Sequence, residues 1–336
     1  MPSVELARPT PQQLVWMDME IGAFIHFGLN VFTGQEHGDG FEPASKFNPT
    51  ELDVEQWILA AKAMGAKYAC LTVRHEGGFC LWPTETTDYS IANSPYQNGK
   101  GDIMRDYAAA CRKHGLKVGI YHTASHDAHH TFQPEDKGHV PWGPVGDAVR
   151  QKRFAEMPDK GRAYVEMQAE QMRELLTNYG DIFYVWCDHW NAGPTTEEDG
   201  AWTIAGNAAW RAVTEVMREL QPDCIMMGPD TWVPGTERGL VVYPLWNAVN
   251  TKDGTIWSRP APTKADAAVP NTYGLLETDV LSGHPLGKFW RPRECTTNTG
   301  FHHGGWFWHP PHVKRTYART LAEHLNLYYR TVGLGA

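Results

Sequence analysis

The sequence predicts an α/β fold whose parallel sheet closes as a (β/α)8-like barrel. Three observations predict it. Apolar, β-rich runs alternate with helical periodicity along the whole 336 residues. No GxGxxG follows the first strand and no GxxxxGK(S/T) occurs, so a doubly wound nucleotide-binding sheet loses ground. Polar residues also gather where strands should end: His26, His75 with Glu76, His122, Asp188 with His189, and Glu294. A barrel carries its chemistry at those ends.

The elements follow in order. "GAFIHFG" (22–28) reads as the first strand. Val54, Trp57, Ile58, Ala61 and Met64 share one face of a helix. "KYACLTV" (67–73) is the second strand. Ile103, Tyr107 and Cys111 then recur at helical spacing, with Asp102 as the N-cap and Gly115 as the stop. "LKVGIYH" (116–122) is the third strand, and a long loop runs from 123 to about 162. A helix from Tyr164 to Tyr179 stops at Gly180 and leads into a fourth strand within "DIFYVWCDHW" (181–190). Trp210, Val213, Met217 and Leu220 mark a helix closed by Pro222, and "CIMMG" (224–228) is a fifth strand. "KFWRPRE" (288–294) is a later strand, and Tyr317, Leu321, Leu325 and Tyr328 mark a last helix. The expectation is one barrel domain over 1–336, ending before its eighth strand.

Composition narrows the function. Hydrophobic residues make up 42% and charged residues 21%, as in ordinary globular enzymes. A net charge of −9 without a basic block argues against nucleic acid as a partner. No apolar run approaches the roughly 18 residues that span a membrane. "MPSVELARPTPQQ" lacks the basic-then-apolar order of a secretion signal, so the expected location is the cytoplasm, or outside the cell with the signal absent from this chain. Cysteines 70, 80, 111, 187, 224 and 295 form no CxxC pair and read as free thiols. Fourteen tryptophans and sixteen histidines suit a sugar site, where indoles stack on C–H faces and imidazoles meet hydroxyls, although large cores also use tryptophan.

Asp188 is the pivotal residue. A carboxylate at the end of a buried strand must be compensated, either by structural hydrogen bonds or by a substrate. A retaining glycosidase needs two carboxyl groups about 5–5.5 Å apart, one nucleophile and one proton donor. Asp188 suits the nucleophile because a strand end is rigid. Glu237, Glu294, Glu76 and Glu36 are all candidates for the donor, and each could instead pair with Arg238, Arg291, Arg293 or Arg74. Chemistry alone does not choose among them. "HTASHDAHH" (122–130) invites a metal, but the loop offers no regular element to fix ligands, and the first strand has one histidine rather than HxH. "GFHHGGWFWHPPH" (300–312) reads as an active-site rim.

Taken together, "MEIGAFIHFGLNVFTGQEHGDG", "FNPTELDVEQW", "HEGGFCLWPTETTDYSIANSPYQNGKGDIM", "ACRKHGLKVGIY", "ELLTNYGDIFYVWCD", "GPDTWVPGTERG", "FWRPRE" and "GGWFWHP" resemble glycoside hydrolase family 29. These are retaining α-L-fucosidases, and the likeness is strongest to the α-1,3/4-type subgroup, from about Trp16 to the end of the chain. The resemblance implies a (β/α)8-like barrel, often followed by a β-sandwich, and the expectation for these residues is the barrel without the β-sandwich. It also implies hydrolysis with retention on an oligosaccharide or glycoconjugate, with no metal and no cofactor. It places the nucleophile on Asp188 and the acid/base on Glu237, with Glu294 supporting the site and standing second for acid/base. His26, Glu36, His75, Trp82 and Tyr121 fall at sugar-contacting positions. His37, Glu76, His122, Trp186 and Trp306 complete the expected pocket. Several departures fall there: "KHHDGF" is "RHEGGF", "EWGDG" is "EHGDG", "YLSPWD" is "YHTASHD" and "WFDG" is "WCDHW". A carboxylate at 76 accepts where an imidazole could donate, so the hydroxyl preference should change. The rival expectations are a sugar-binding protein that has lost catalysis and, further off, a metal-dependent barrel hydrolase.

Overall fold

The computed structural model describes residues 6–124, 127–131, 152, 155, 158–188, 201–231, 241, 245–249, 283, 285–301, 306–308 and 317–336. They fall into two compact units: Ile21–Cys224 with Gly305–Lys314, and Met1–Glu20 with Ile225–Gly304 and Arg315–Ala336.

The larger unit repeats strand and helix four times. Its elements are β1 (Gly22–Ile25), α1 (Val54–Ala63), β2 (Tyr68–Arg74), α2 (Ile103–His114), β3 (Lys117–His122), α3 (Pro158–Asn178), β4 (Tyr184–Trp186) and α4 (Ala201–Leu220). The strands lie in the order β1-β2-β3-β4, all parallel, with Gly22 opposite Tyr68, Tyr68 opposite Lys117 and Tyr121 opposite Trp186. Every residue of β2 is buried, as in a parallel sheet covered on both faces. A register shift between Thr72 and Arg74 sets Arg74 beside His122.

Local chemistry explains the boundaries. Asp53 and Asp102 cap α1 and α2 by accepting from the amides of Gln56 and Arg105. Gly115 ends α2 at φ +76°, a conformation that favours glycine, behind Arg112, Lys113 and His114, which complement the helix dipole. Val54, Ile58 and Ala61 of α1 are buried, whereas Met64 lies past the last turn and is exposed. α3 starts six residues earlier than the apolar spacing suggests, with Pro158 at its first position. Tyr107 donates to the Gly119 carbonyl at 2.8 Å, tying α2 to β3.

In the smaller unit a helix over Pro11–Met19 opens with a Thr10–Gln13 capping box. Gln13 is buried and donates to the carbonyls of Asp230 and Trp290 at 2.7 and 3.2 Å. Ile225–Met226 forms a short strand. Phe289–Trp290, expected as a later barrel strand, pairs antiparallel with Ala248–Val249. The last helix is Leu321–Arg330, because a Thr320–Glu323 capping box fixes its start. Tyr317–Ala318, which the spacing placed in that helix, pairs with Gly300–Phe301 instead.

All six cysteines are free thiols, five of them buried. Among the described residues no helix is long and apolar enough to cross a membrane.

Candidate active site

The C-terminal ends of β1 to β4 bring several of the expected residues together within the larger unit. Asp188 sits in a turn two residues beyond β4. Tyr121, near the end of β3, donates its hydroxyl to Asp188 Oδ2 at 2.6 Å. The Tyr121 ring is stacked against Trp186 of β4 (5.3 Å, 13°) and against His75 (5.2 Å, 14°), which immediately follows β2. Burial, then the adjacent Asp188 charge, pushes the Tyr121 pKa well above its ordinary value. The phenol therefore stays protonated and fixes one carboxylate oxygen.

The floor is aromatic. His26, just past β1, stacks on Trp306 at 5.5 Å and 22° and meets the Phe307 edge at 5.4 Å. Phe307 also packs edge-on against His75 at 4.9 Å. The Trp306 amide donates to Glu36 Oε1, and His37 Nδ1 donates to Glu76 Oε2. Burial lowers the pKa of His26 well below normal, with His75 acting in the same direction. Burial also lowers that of His75, while Glu76 and Asp188 oppose it. Both rings are neutral near pH 7, each offering one N–H and one lone pair.

Trp82 and His122 stand apart from this group. Side chains alternate along a strand, so His122 faces away from its neighbour Tyr121. His122 Nε2 lies 3.2 Å from Gln171 Oε1, and Trp82 donates to Glu174 Oε2 at 2.7 Å, so the contacts of both run to α3. Glu294 is buried in the smaller unit. Glu237 lies outside the described residues. Among the described residues no group of three or more His, Cys, Asp or Glu side chains could hold a metal ion.

A second cluster, centred on Arg74 and Asp127, has no signal in the sequence. Arg74, offered by the sequence as a partner for a half-buried glutamate, pairs instead with Asp127, and both side chains are fully buried. Arg74 Nη1 also donates to the Thr123 carbonyl and to Gln168. Asp127 accepts from the His130 amide at 2.8 Å and from its Nδ1 at 2.7 Å. Burial alone would raise the Asp127 pKa, but the His130 and Arg74 charges hold it far below the usual carboxylate range. The loops after β1, β2 and β3 meet here. Ala128 N donates to the Glu76 carbonyl at 2.8 Å, and His129 Nδ1 donates to the Gly40 carbonyl at 2.7 Å. Gly78, at φ +93°, has room for no side chain: a Cβ would come within 2.6 Å of Asp127 Oδ1.

His122 carries a pH dependence. Burial, then the Arg74 charge, pushes its pKa down to about 3 from an ordinary 6.5. Between those values the unfolded chain binds a proton that the native chain refuses. Stability therefore falls as pH drops through that window, by at most about 1.4 kcal/mol per pH unit for this group. Urea midpoints at pH 7 and pH 5 should differ less in His122→Gln than in the parent protein. Equal differences would remove His122 from the account.

A sequence profile of the α-L-fucosidase family matches residues 39–243. α-L-Fucosidase 1 of Arabidopsis thaliana is 31% identical over 331 residues, covering 98% of this chain and 54% of that protein. A crystal structure of a glycoside hydrolase family 29 member from an unknown rumen bacterium superposes with a TM-score of 0.72 at 31% identity, over 99% of this chain and 52% of that one. A family 29 fucosidase of Ruminococcus gnavus in complex with fucose, at 22% identity and TM-score 0.70, shares the fold and covers 63% of that chain. The chain spans about half the length of the curated relatives it matches. The fold class is thus α/β and TIM-barrel-like, and the sheet of the larger unit is an unclosed part of it among the described residues. With the profile covering more than half of the sequence and the likeness running nearly end to end, the chain belongs to the α-L-fucosidase family, glycoside hydrolase family 29.

Proposed function

We propose that this chain is a retaining exo-α-glycosidase acting on terminal α-L-fucosyl residues, or the closely related α-L-galactosyl or substituted fucosyl residues, of an oligosaccharide or glycoconjugate. The observation that carries the reading is the Tyr121–Asp188 hydrogen bond, held between stacked rings at the strand ends. Family membership supports it, and so does the location, since a barrel places its reacting groups there.

Asp188 attacks the anomeric carbon as the glycosidic oxygen departs. The carboxylate oxygen not bonded to Tyr121 is the one directed at the sugar, because the phenol lowers the nucleophilicity of its own partner. Glu237 protonates the leaving oxygen and then takes a proton from the water that cleaves the glycosyl-enzyme; Glu294 is the alternative for this role. His26, Glu36, His75, Trp186 and Trp306 line the sugar site, with neutral imidazoles suited to hydroxyls. The whole of 1–336 is read as one catalytic barrel domain.

The test is the anomer formed first. Proton NMR during cleavage of an aryl α-L-fucoside should show α-L-fucose appearing before mutarotation. The β-anomer as the first product would overturn the two-step route. A saccharide bound but never cleaved, with affinity intact in Asp188→Ala, would favour a binding protein instead.

A further inference from the structure

A second hydroxyl stands behind the Tyr121–Asp188 bond. Thr123 Oγ1 lies 3.3 Å from the Tyr121 phenol oxygen, whose own contact with Asp188 Oδ2 is 2.6 Å. A carboxylate only accepts, so the single phenolic proton goes to Asp188 and the Thr123 hydroxyl is the donor to the phenol. Thr123 immediately follows β3, on the same side of the chain as Tyr121 two residues back, and it is fully buried. Its backbone is held by the last residue of β2: the Thr123 amide donates to the Arg74 carbonyl at 3.2 Å, and Arg74 Nη1 donates to the Thr123 carbonyl. The ion pair with Asp127 fixes that guanidinium in turn, and the branched Cβ of threonine restricts the hydroxyl to few rotamers. The fold itself sets where this proton points.

The effect on the reaction has a direction. A hydroxyl that accepts a hydrogen bond becomes a better donor in its own. Burial, then the Asp188 charge, raises the Tyr121 pKa, and the Thr123 bond acts against both. Donation to Asp188 is strengthened while the phenol keeps its proton. In the first step Asp188 loses its charge, as an electron pair of Oδ1 forms the bond to the anomeric carbon and the glycosidic oxygen leaves with its own pair. In the second step water adds to that carbon and gives its proton to the acid/base. The pair of the breaking sugar–Asp188 bond then returns to the carboxylate. A stronger donor at Oδ2 favours the step in which the charge returns, and not the step in which it is lost.

We propose that Thr123 is a positioning residue for the nucleophile, acting through Tyr121 to make Asp188 a better leaving group from the glycosyl-enzyme. The proposal rests on the hydrolase reading and deepens it.

The experiment reads the two steps apart with 2-deoxy-2-fluoro-α-L-fucosyl fluoride. This reagent forms the glycosyl-enzyme with loss of fluoride, which needs no acid catalyst, and activity returns as the trapped ester hydrolyses. Reactivation should be about 3- to 10-fold slower in Thr123→Val than in the parent, the size expected for one neutral hydrogen bond. Inactivation should stay within about twofold. Thr123→Ser keeps the hydroxyl and should reactivate within about twofold of the parent. In a Tyr121→Phe background, Thr123→Val should change reactivation by less than about twofold, because its partner is already gone. A merely structural role would slow both steps and would persist without the phenol. Reactivation of Thr123→Val at the parent rate would overturn the proposal, as would a slowing undiminished in the Tyr121→Phe background. Thr123→Ala removes the same hydroxyl and carries the test if the valine variant fails to fold. Trapping and release that ignore position 123 would sink the proposal and spare the hydrolase reading. A parent that forms no glycosyl-enzyme would overturn that reading and the proposal together.

Discussion

Asp188→Ala is expected to lower kcat on 4-nitrophenyl α-L-fucoside by on the order of 10⁴-fold or more, the scale seen when a covalent nucleophile is removed. The side chain accepts from Tyr121, whose phenol is stacked between Trp186 and His75, so the aromatic walls should survive the truncation. Azide sharpens the test. It fits the space left by the carboxylate and should restore turnover by attacking the anomeric carbon from that side, giving the β-L-fucosyl azide. Were Asp188 the acid/base instead, an activated aryl leaving group would still depart, and azide would yield the α-product. Residual activity within tenfold of the parent would remove Asp188 from the chemistry altogether.

Asp127→Ala should be the most destabilising single change in the larger unit, by about 3–5 kcal/mol, because it strands the buried Arg74 guanidinium without its counter-charge. That is a large share of the 5–15 kcal/mol that holds a typical domain folded. The His130 hydrogen bonds are lost at the same time. Replacing both partners with apolar residues, Arg74→Met with Asp127→Leu, should recover much of the loss, since no buried charge then remains. Urea unfolding followed by circular dichroism measures both. An Asp127→Ala protein within about 1 kcal/mol of the parent would show that water reaches Arg74.

The legible parts of this molecule share a physical cause. Asp102 and Gly115 bracket a helix because capping chemistry is local. Asp188, Tyr121, His26 and His75 could be placed at strand ends because apolar runs mark the strands and the polar residue that follows marks the end. What escaped is whatever depends on distant partners. Arg74 and Asp127 are 53 positions apart, and nothing near either names the other. Phe289–Trp290 reads as strand from its own residues, but the antiparallel partner Ala248–Val249 does not follow from them. Trp82 and His122 carry suitable chemistry and still turn toward α3; for His122, side-chain alternation after Tyr121 decides the face it takes. The helix Pro11–Met19 buries only Gln13 and Trp16 and so shows no apolar period; Thr10 and Gln13, its capping box, are its local signal.

The fastening of the three loops around Asp127, Gly78 and Gly40 bears on how a sugar is received. Those loops carry Glu36, His37, His75 and Glu76, and their mutual bonds form as the chain folds, before any ligand arrives. The conformational entropy of arranging the rim is therefore spent once, in folding, and not again at each encounter. Such a preorganised rim lets a small, weakly apolar ligand be held by a few hydrogen bonds. It also means that one loop cannot be remodelled for a new sugar without disturbing the two tied to it.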